Sequence, residues 1–407
     1  MRVSWVWSPF LTGLFLTIGV AWAQTESSSG GQSTAVAKNT PQSTSSSSSS
    51  PSGQTSSPAP PVPASPAASP WTFDGIAFSG MVDGYYSFND NHPSPTFNTL
   101  YNFDDKTNQW DLNMLKMTVS HDPDPVGFRL DLGLGRTFED MHYPSVDPSF
   151  FRYVEQAYVS LKPKGWKGFQ ADFGDFVTSA GAEVIESKDN WNYSRSLLFA
   201  LAIPYYHFGL RTSMPIGSSV SVGVQVIDGW NAIIQDHGGN MQTVGLTGAI
   251  TRKKFTWSHN YYVGPQWTGV NNRNRDLYDT TLLLTPSDKF NVYLNYDYGS
   301  QLRVFGGHDH WTGFAGAAHF QLNRRFAISP RAEYYNDSTG FTTGTIQKLH
   351  EVTLTGEYKL IDGFLARLEY RHDGSDVPYF TRGATSTPSK SQSTVSIGFI
   401  AYYPAKH

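Results

Sequence analysis

The chain has 407 residues, 39% hydrophobic and 14% aromatic, with a formal net charge of −4. Charged residues make up only 16%, against about 25% in ordinary soluble domains. The near-neutral charge gives no electrostatic basis for nucleic-acid binding, and the absence of cysteine excludes disulfide frameworks and thiolate metal sites.

The first 23 residues read as an export signal. Arg2 is basic, Val3–Val20 is mostly apolar, and Ala21-Trp22-Ala23 forms an A-x-A cleavage pattern before Gln24. Ser4, Ser8 and Pro9 interrupt the apolar run and speak against a membrane anchor. Residues 24–70 are low-complexity Ser/Pro/Ala/Thr/Gly/Gln, including the run Ser45–Ser50. Such a segment buries too little apolar surface to offset its ordering entropy, so a disordered periplasmic linker is expected. The third region, 71–407, is expected to be an all-β domain.

From Trp71 onward side chains alternate. Val352, Leu354, Tyr358 and Leu360 share one parity, while Thr353, Thr355, Glu357 and Lys359 share the other. Residues 128–134, 220–226 and 364–370 alternate in the same way. A period of two predicts strands. Sixteen are expected, at 73–88, 109–120, 126–137, 152–162, 168–177, 204–213, 218–229, 241–251, 254–263, 276–285, 288–299, 311–321, 325–336, 349–360, 363–372 and 392–403. Most have the length that a tilted strand needs to cross a bilayer. No later stretch is apolar enough for a membrane helix, and lipid offers backbone groups no partners, so spanning strands must close into a barrel.

The expected connections alternate in length. Short ones at 121–125, 163–167, 214–217, 252–253, 286–287, 322–324 and 361–362 separate long ones at 89–108, 138–151, 178–203, 230–240, 264–275, 300–310, 337–348 and 373–391. This is the pattern of an up-and-down antiparallel barrel in the outer membrane, with short periplasmic turns and long extracellular loops. A soluble sandwich or solenoid would not impose it. Tyr85, Tyr86, Trp110, Tyr205, Tyr206, Tyr261, Tyr262, Tyr296, Tyr298, Trp311, Tyr334, Tyr402 and Tyr403 fall near strand ends and are expected to form interface girdles. The last strand is alternating and aromatic like a signal for barrel-assembly machinery, although Pro404-Ala-Lys-His407 follows it.

Polar parity predicts a lumen wall of Lys116, Arg129, Asp131, Asp172, Arg211, Asp297, Arg325, Arg331, Glu333, Glu351, Glu357, Lys359, Arg367, Glu369 and Arg371. Eight are positive and seven negative, so the bulk lumen is near balance. Loop 178–203 is the longest, and it carries Val184, Ile185, Trp191, Leu197, Leu198 and Phe199 among charged residues. Exposed loops rarely hold so many apolar groups. The loop is therefore expected to fold inward, with Glu183, Glu186 and Arg195 setting pore size and ion preference. The other course for such a loop is to pack on a neighbouring protomer or to form an outer lid.

His308-Asp309-His310, His372-Asp373 and His237 lack the rest of a zinc ligand set, so no metal and no cofactor are expected. His207, His259, His319 and His350 fall on strands, but no G-x-S-x-G, H-E-x-x-H or phosphate-binding glycine loop accompanies them. These features favour a diffusion channel for small hydrophilic solutes and not an enzyme. Two other classes remain to be weighed: an outer-membrane barrel enzyme and a plugged structural or adhesive barrel.

The strings GDFVTSAGAEVIE at 174–186, NWNYSRSLLF at 190–199 and PYYHFGLR at 204–211 resemble the OmpL-like β-barrel porins. In that family a G-x-F…G-A-E-x-I-E…N-Y-S-R-S…P-x-x-H-x-G pattern lies in the first half of the barrel. The match is sharp over 172–211, and the resemblance extends over 71–407. It implies outer-membrane localisation, a pore-like role and contact with lipid and lipopolysaccharide. By analogy with sixteen-stranded porins, a homotrimer is expected.

Overall fold

The computed structural model describes residues 72–142, 149–235, 241–267 and 269–403. The expected signal at 1–23, the linker at 24–70, His237 and Pro404–His407 lie outside these residues.

Sixteen long strands form the wall: β1 (Ile76–Asn89), β2 (Gln109–His121), β3 (Val126–Leu134), β4 (Val154–Leu161), β5 (Gln170–Val177), β6 (Tyr206–Ile216), β7 (Val220–Ile227), β8 (Thr243–Arg252), β9 (Phe255–Trp267), β10 (Val270–Ser287), β11 (Phe290–Leu302), β12 (His308–Gln321), β13 (Phe326–Asp337), β14 (Gln347–Ile361), β15 (Phe364–Ser375) and β16 (Ser391–Tyr403). Each pairs antiparallel with both neighbours, and β16 closes onto β1 with Ile400 opposite Asp83. Closure leaves no unpaired ladder edge in the wall, which lipid would penalise. The expected antiparallel sixteen-strand barrel is what forms.

Period-two chemistry fixes which way each residue faces. On β14, Glu351, Thr353 and Thr355 are buried inside while Val352, Leu354 and Tyr358 are exposed outside. On β7, Val222, Val224 and Val226 face out and Gln225 faces in. Leu354 lies at the centre of β14 and is 52% exposed in the isolated chain, where bilayer would cover it. Leu354→Arg is expected to cost about 2–4 kcal/mol at mid-membrane. Urea titration of protein refolded into lipid vesicles would measure this as a lowered midpoint.

Three expectations need correction. Residues 264–275 are not a long loop. β9 runs to Trp267 and β10 starts at Val270, so the hairpin continues beyond the apolar band. Polar Asn271–Arg275 hide the alternation because no lipid demands an apolar side there. Similarly, β11 and β12 extend to Leu302 and from His308, shortening the expected 300–310 loop. The third correction concerns the aromatics. Trp110, Tyr261, Tyr296, Tyr298, Tyr334 and Tyr403 are exposed outside, but Tyr85, Tyr205, Tyr206, Tyr262 and Trp311 are buried within. At Tyr261-Tyr262 the pleat sends one ring each way, whereas Tyr205 lies just before β6 and both it and Tyr206 turn inward.

The interior is filled from the long-loop end. Loop 178–205 enters the lumen, with loop 90–108 and the short helix α1 (Arg136–Met141) packed beside it. A second short helix, α2 (Leu197–Leu201), lies inside loop 178–205. Phe103 of the second loop packs on Phe199 and Tyr205 at centroid distances of 5.6 and 5.4 Å.

Candidate functional site: a loop across the lumen

The inward turn of loop 178–203 has local causes. Ser196 caps α2 by accepting from the Phe199 N–H at 3.0 Å. The Glu333 carboxylate accepts the N–H groups of Leu197 at 3.0 Å and Leu198 at 3.2 Å, so a negative wall charge meets the helix's orphan donors. Arg195 donates to the carbonyls of Val184, Ile185 and Tyr193, drawing the two limbs of the loop together. Leu197, Leu198 and Phe199 are buried by the wall and by neighbouring loops.

The wall receives the loop at many points around the ring. Ser179 donates to Asn260 on β9 at 2.7 Å, and the Ala182 N–H donates to Asn295 on β11 at 3.1 Å. Asn192 donates to the Ser329 carbonyl on β13 at 3.0 Å and to Thr355 on β14 at 2.7 Å. The N–H groups of Tyr193 and Ser194 donate to Glu369 on β15 at 2.6 and 2.9 Å. The Tyr193 hydroxyl donates to Asp83 on β1 at 2.8 Å. The loop therefore crosses the lumen. Small wall residues admit it: a Cβ at Gly398 would stand 2.3 Å from the Tyr193 ring, and one at Gly313 would stand 2.6 Å from Leu198.

Most of the expected wall residues fall into two sets. Arg331, Glu333, Glu351, Arg367, Glu369 and Arg371 lie level with the loop and are buried. Arg331 contacts Glu183 at 2.8 Å, Glu333 at 3.2 Å and Glu351 at 3.3 Å, and donates to the Ser194 carbonyl at 2.7 Å. Arg367 donates to the Asn190 carbonyl at 2.6 Å and Arg371 to that of Arg195 at 2.7 Å. Arg129, Glu357 and Lys359 lie toward the short-turn end, and their side chains are 21%, 21% and 33% exposed, so water reaches them. Arg211, bonded to Asp172 at 2.8 Å, is also partly exposed at that end. Asp131 is buried beside Arg129, 2.9 Å away. Of the remaining expected wall residues, Asp297 and Lys116 are buried inside, whereas Arg325 sits in an exposed turn.

Glu183 and Glu186 occupy joints between loop and wall, whereas the Arg195 side chain ties the loop to itself and only its carbonyl meets the wall, accepting from Arg371. Glu186 meets Lys116, which also contacts Glu155 and, at 3.2 Å, Asp131. The three carboxylates converge within 4.8 Å, and the Lys116 ammonium supplies the positive charge among them. Lys188 and Asp189, paired with each other, are the loop charges that water reaches, at 28% and 18% exposure. Beside them Trp191 stacks on Tyr293 and His319, at 5.2 and 5.6 Å. Sequence reasoning missed Asp83, which shares the inward parity of its strand, and Glu155, which has the outward parity of Val159 and Leu161 but is buried at the register shift where Val154 and Gln156 pair with Leu132 and Asp131. It also left loop 90–108 outside, although Leu100, Tyr101 and Phe103 gave that loop the same apolar signature.

Asp104 on the second loop is buried and has no hydrogen-bond partner among the described residues. Burial pushes its carboxyl up to about 8, against the pull of Arg195. A carboxyl raised in the fold contributes stability that is complete below its unfolded value near 4 and lost as pH rises through about 8. Asp104→Asn is thus expected to raise the melting temperature at pH 9 and leave it unchanged near pH 3. Thermal melts of both proteins across that range would show the difference opening between these limits.

Solved structures share the architecture at low identity. OmpT of Vibrio cholerae, an outer membrane protein in its trimer form, aligns with a TM-score of 0.52 and 13% identity, covering 81% of this chain and 99% of its own. The anion-selective porin from Comamonas acidovorans gives 0.54 and 12%, covering 81% and 99%. The outer membrane channel DcaP of Acinetobacter baumannii gives 0.54 and 9%, covering 81% and 97%. No curated protein sequence matches. Over residues 75–402, however, the sequence fits one family throughout, and by that match this barrel belongs to the family Putative beta-barrel porin-2, OmpL-like.

Proposed function

We propose that the chain is a passive outer-membrane channel for small hydrophilic solutes, its bore cut down by loop 178–203. One observation carries this reading: a charged, hydrated wall around Arg129, Arg211, Glu357 and Lys359 leads up to a loop that crosses the lumen. Glu183, Glu186 and Arg195 set the constriction by fixing where the loop lies. Lys188 and Asp189 are the loop charges that a solute meets first from the periplasmic side. Near-balanced wall charge gives little preference between anions and cations.

The inward His207 supports a channel over an enzyme, because it hydrogen-bonds to the Gly229 carbonyl and Thr178 and not to a carboxylate. The proposal includes a cleaved export signal, lipid and lipopolysaccharide around the barrel, assembly by barrel-assembly machinery, and a homotrimer of the kind named for OmpT.

Swelling of liposomes carrying the purified protein tests the reading. Monosaccharides should enter quickly and larger oligosaccharides slowly. Liposomes that do not swell with any sugar would instead mark a plugged structural barrel.

A further inference from the structure

Arg275 differs from the other buried arginines on the strands of the wall. Arg331, Arg367 and Arg371 each contact a carboxylate. Arg275 forms no ion pair among the described residues, yet it is only 2% exposed. It sits on the extracellular part of β10, opposite Gln301 of β11. Its Nε donates to Gln301 Oε1 at 2.8 Å, while Nη1 has no partner among the described residues. The guanidinium lies 4.8 Å from the Trp230 ring centroid and 5.0 Å from that of Phe341. Trp311 completes the aromatic cluster, edge-on to Trp230 at 6.3 Å and stacked on Phe341 at 5.3 Å.

A second donor nearby is also unmatched. Trp311 Nε1 donates to the Ala202 carbonyl at 3.2 Å, but Trp230 Nε1 has no acceptor among the described residues. The acid whose charge reaches Arg275 is Asp309, which already accepts from Arg303 at 2.9 and 2.6 Å. Ring quadrupoles offset part of the guanidinium charge at its faces and leave its N–H edge unserved. A buried cation and a buried indole N–H both call for an acceptor. A negative ion answers both demands, whereas a water molecule would leave the charge unbalanced.

We propose that a chloride-sized monovalent anion binds at the extracellular mouth between Arg275 Nη1 and Trp230 Nε1. Arg275 and Trp230 are each only 2% exposed, which suits a small ion and not a large organic acid. The site exists whether or not the barrel conducts, so its test is separate from the swelling assay.

Full-length protein is crystallised with bromide replacing chloride. An anomalous peak within hydrogen-bonding distance of both nitrogens is expected, and its absence there overturns the proposal. In parallel, thermal melts are compared in bromide and in gluconate at equal ionic strength. Bromide should shift the wild-type midpoint upward. Trp230→Phe, which keeps a ring but loses the N–H, should lose most of that shift; an undiminished shift in the variant contradicts the site. If the variant does not fold, the bromide map of the wild type decides.

Discussion

Replacing residues 178–205 by a short Gly/Ser turn is expected to raise single-channel conductance several-fold and to admit larger sugars. The exchange suits the fold, because Val177 at the end of β5 already pairs with Tyr206 at the start of β6. A turn of roughly four residues can join paired antiparallel strands. A barrel of this strand number is wide enough for an aqueous channel unless something fills it. The replacement removes the packed side chains of Leu197, Leu198 and Phe199 and uncovers the wall carboxylates Asp83, Glu333 and Glu369. Planar-bilayer recording would measure the change. A conductance equal to that of the intact protein would place the limiting barrier in loop 90–108 and α1.

Arg331→Met should have the largest effect of any single substitution on loop anchoring. Arg331 faces three buried carboxylates, Glu183, Glu333 and Glu351, and also holds the Ser194 carbonyl. Removing one partner of a buried ionic cluster leaves the others uncompensated, at a cost of about 3–5 kcal/mol. The expected outcome is a lower melting temperature in detergent together with larger, noisier channel openings as the loop detaches. Adding Glu351→Met to Arg331→Met should recover part of the loss, since it removes one stranded charge. A single variant that melts like the wild type would mean that these carboxylates do not depend on Arg331.

The barrel was legible in the sequence because lipid enforces it residue by residue. Val352, Leu354 and Tyr358 had to be apolar, while Thr353, Thr355 and Glu357 did not. Where lipid ends, that signal ends, which is why the polar start of β10 at 271–275 read as loop. The inward turn of loop 178–203 was legible from Val184, Ile185 and Leu197–Phe199, which water would not tolerate. The position of each charge on that loop was not legible. Glu183 and Lys188 are five positions apart in the same polar context, yet one meets Arg331 and the other meets water. The Glu183–Arg331 contact joins residues 148 apart, and it depends on register accumulated around half the ring. The unmatched donors of Arg275 and Trp230 likewise arise from three segments, β10 and the loops holding Trp230 and Phe341, that only closure brings together.

The chain contains no cysteine, so one engineered pair can test the loop's position directly. Asn192 and Thr355 are joined by a 2.7 Å hydrogen bond across the lumen. With Asn192→Cys and Thr355→Cys combined in intact outer membranes, mild oxidation should yield an internal disulfide and block both thiols from a membrane-impermeant maleimide. Two free thiols, with the one on the loop labelled from outside the cell, would mean that the loop lies above the barrel and not across its interior.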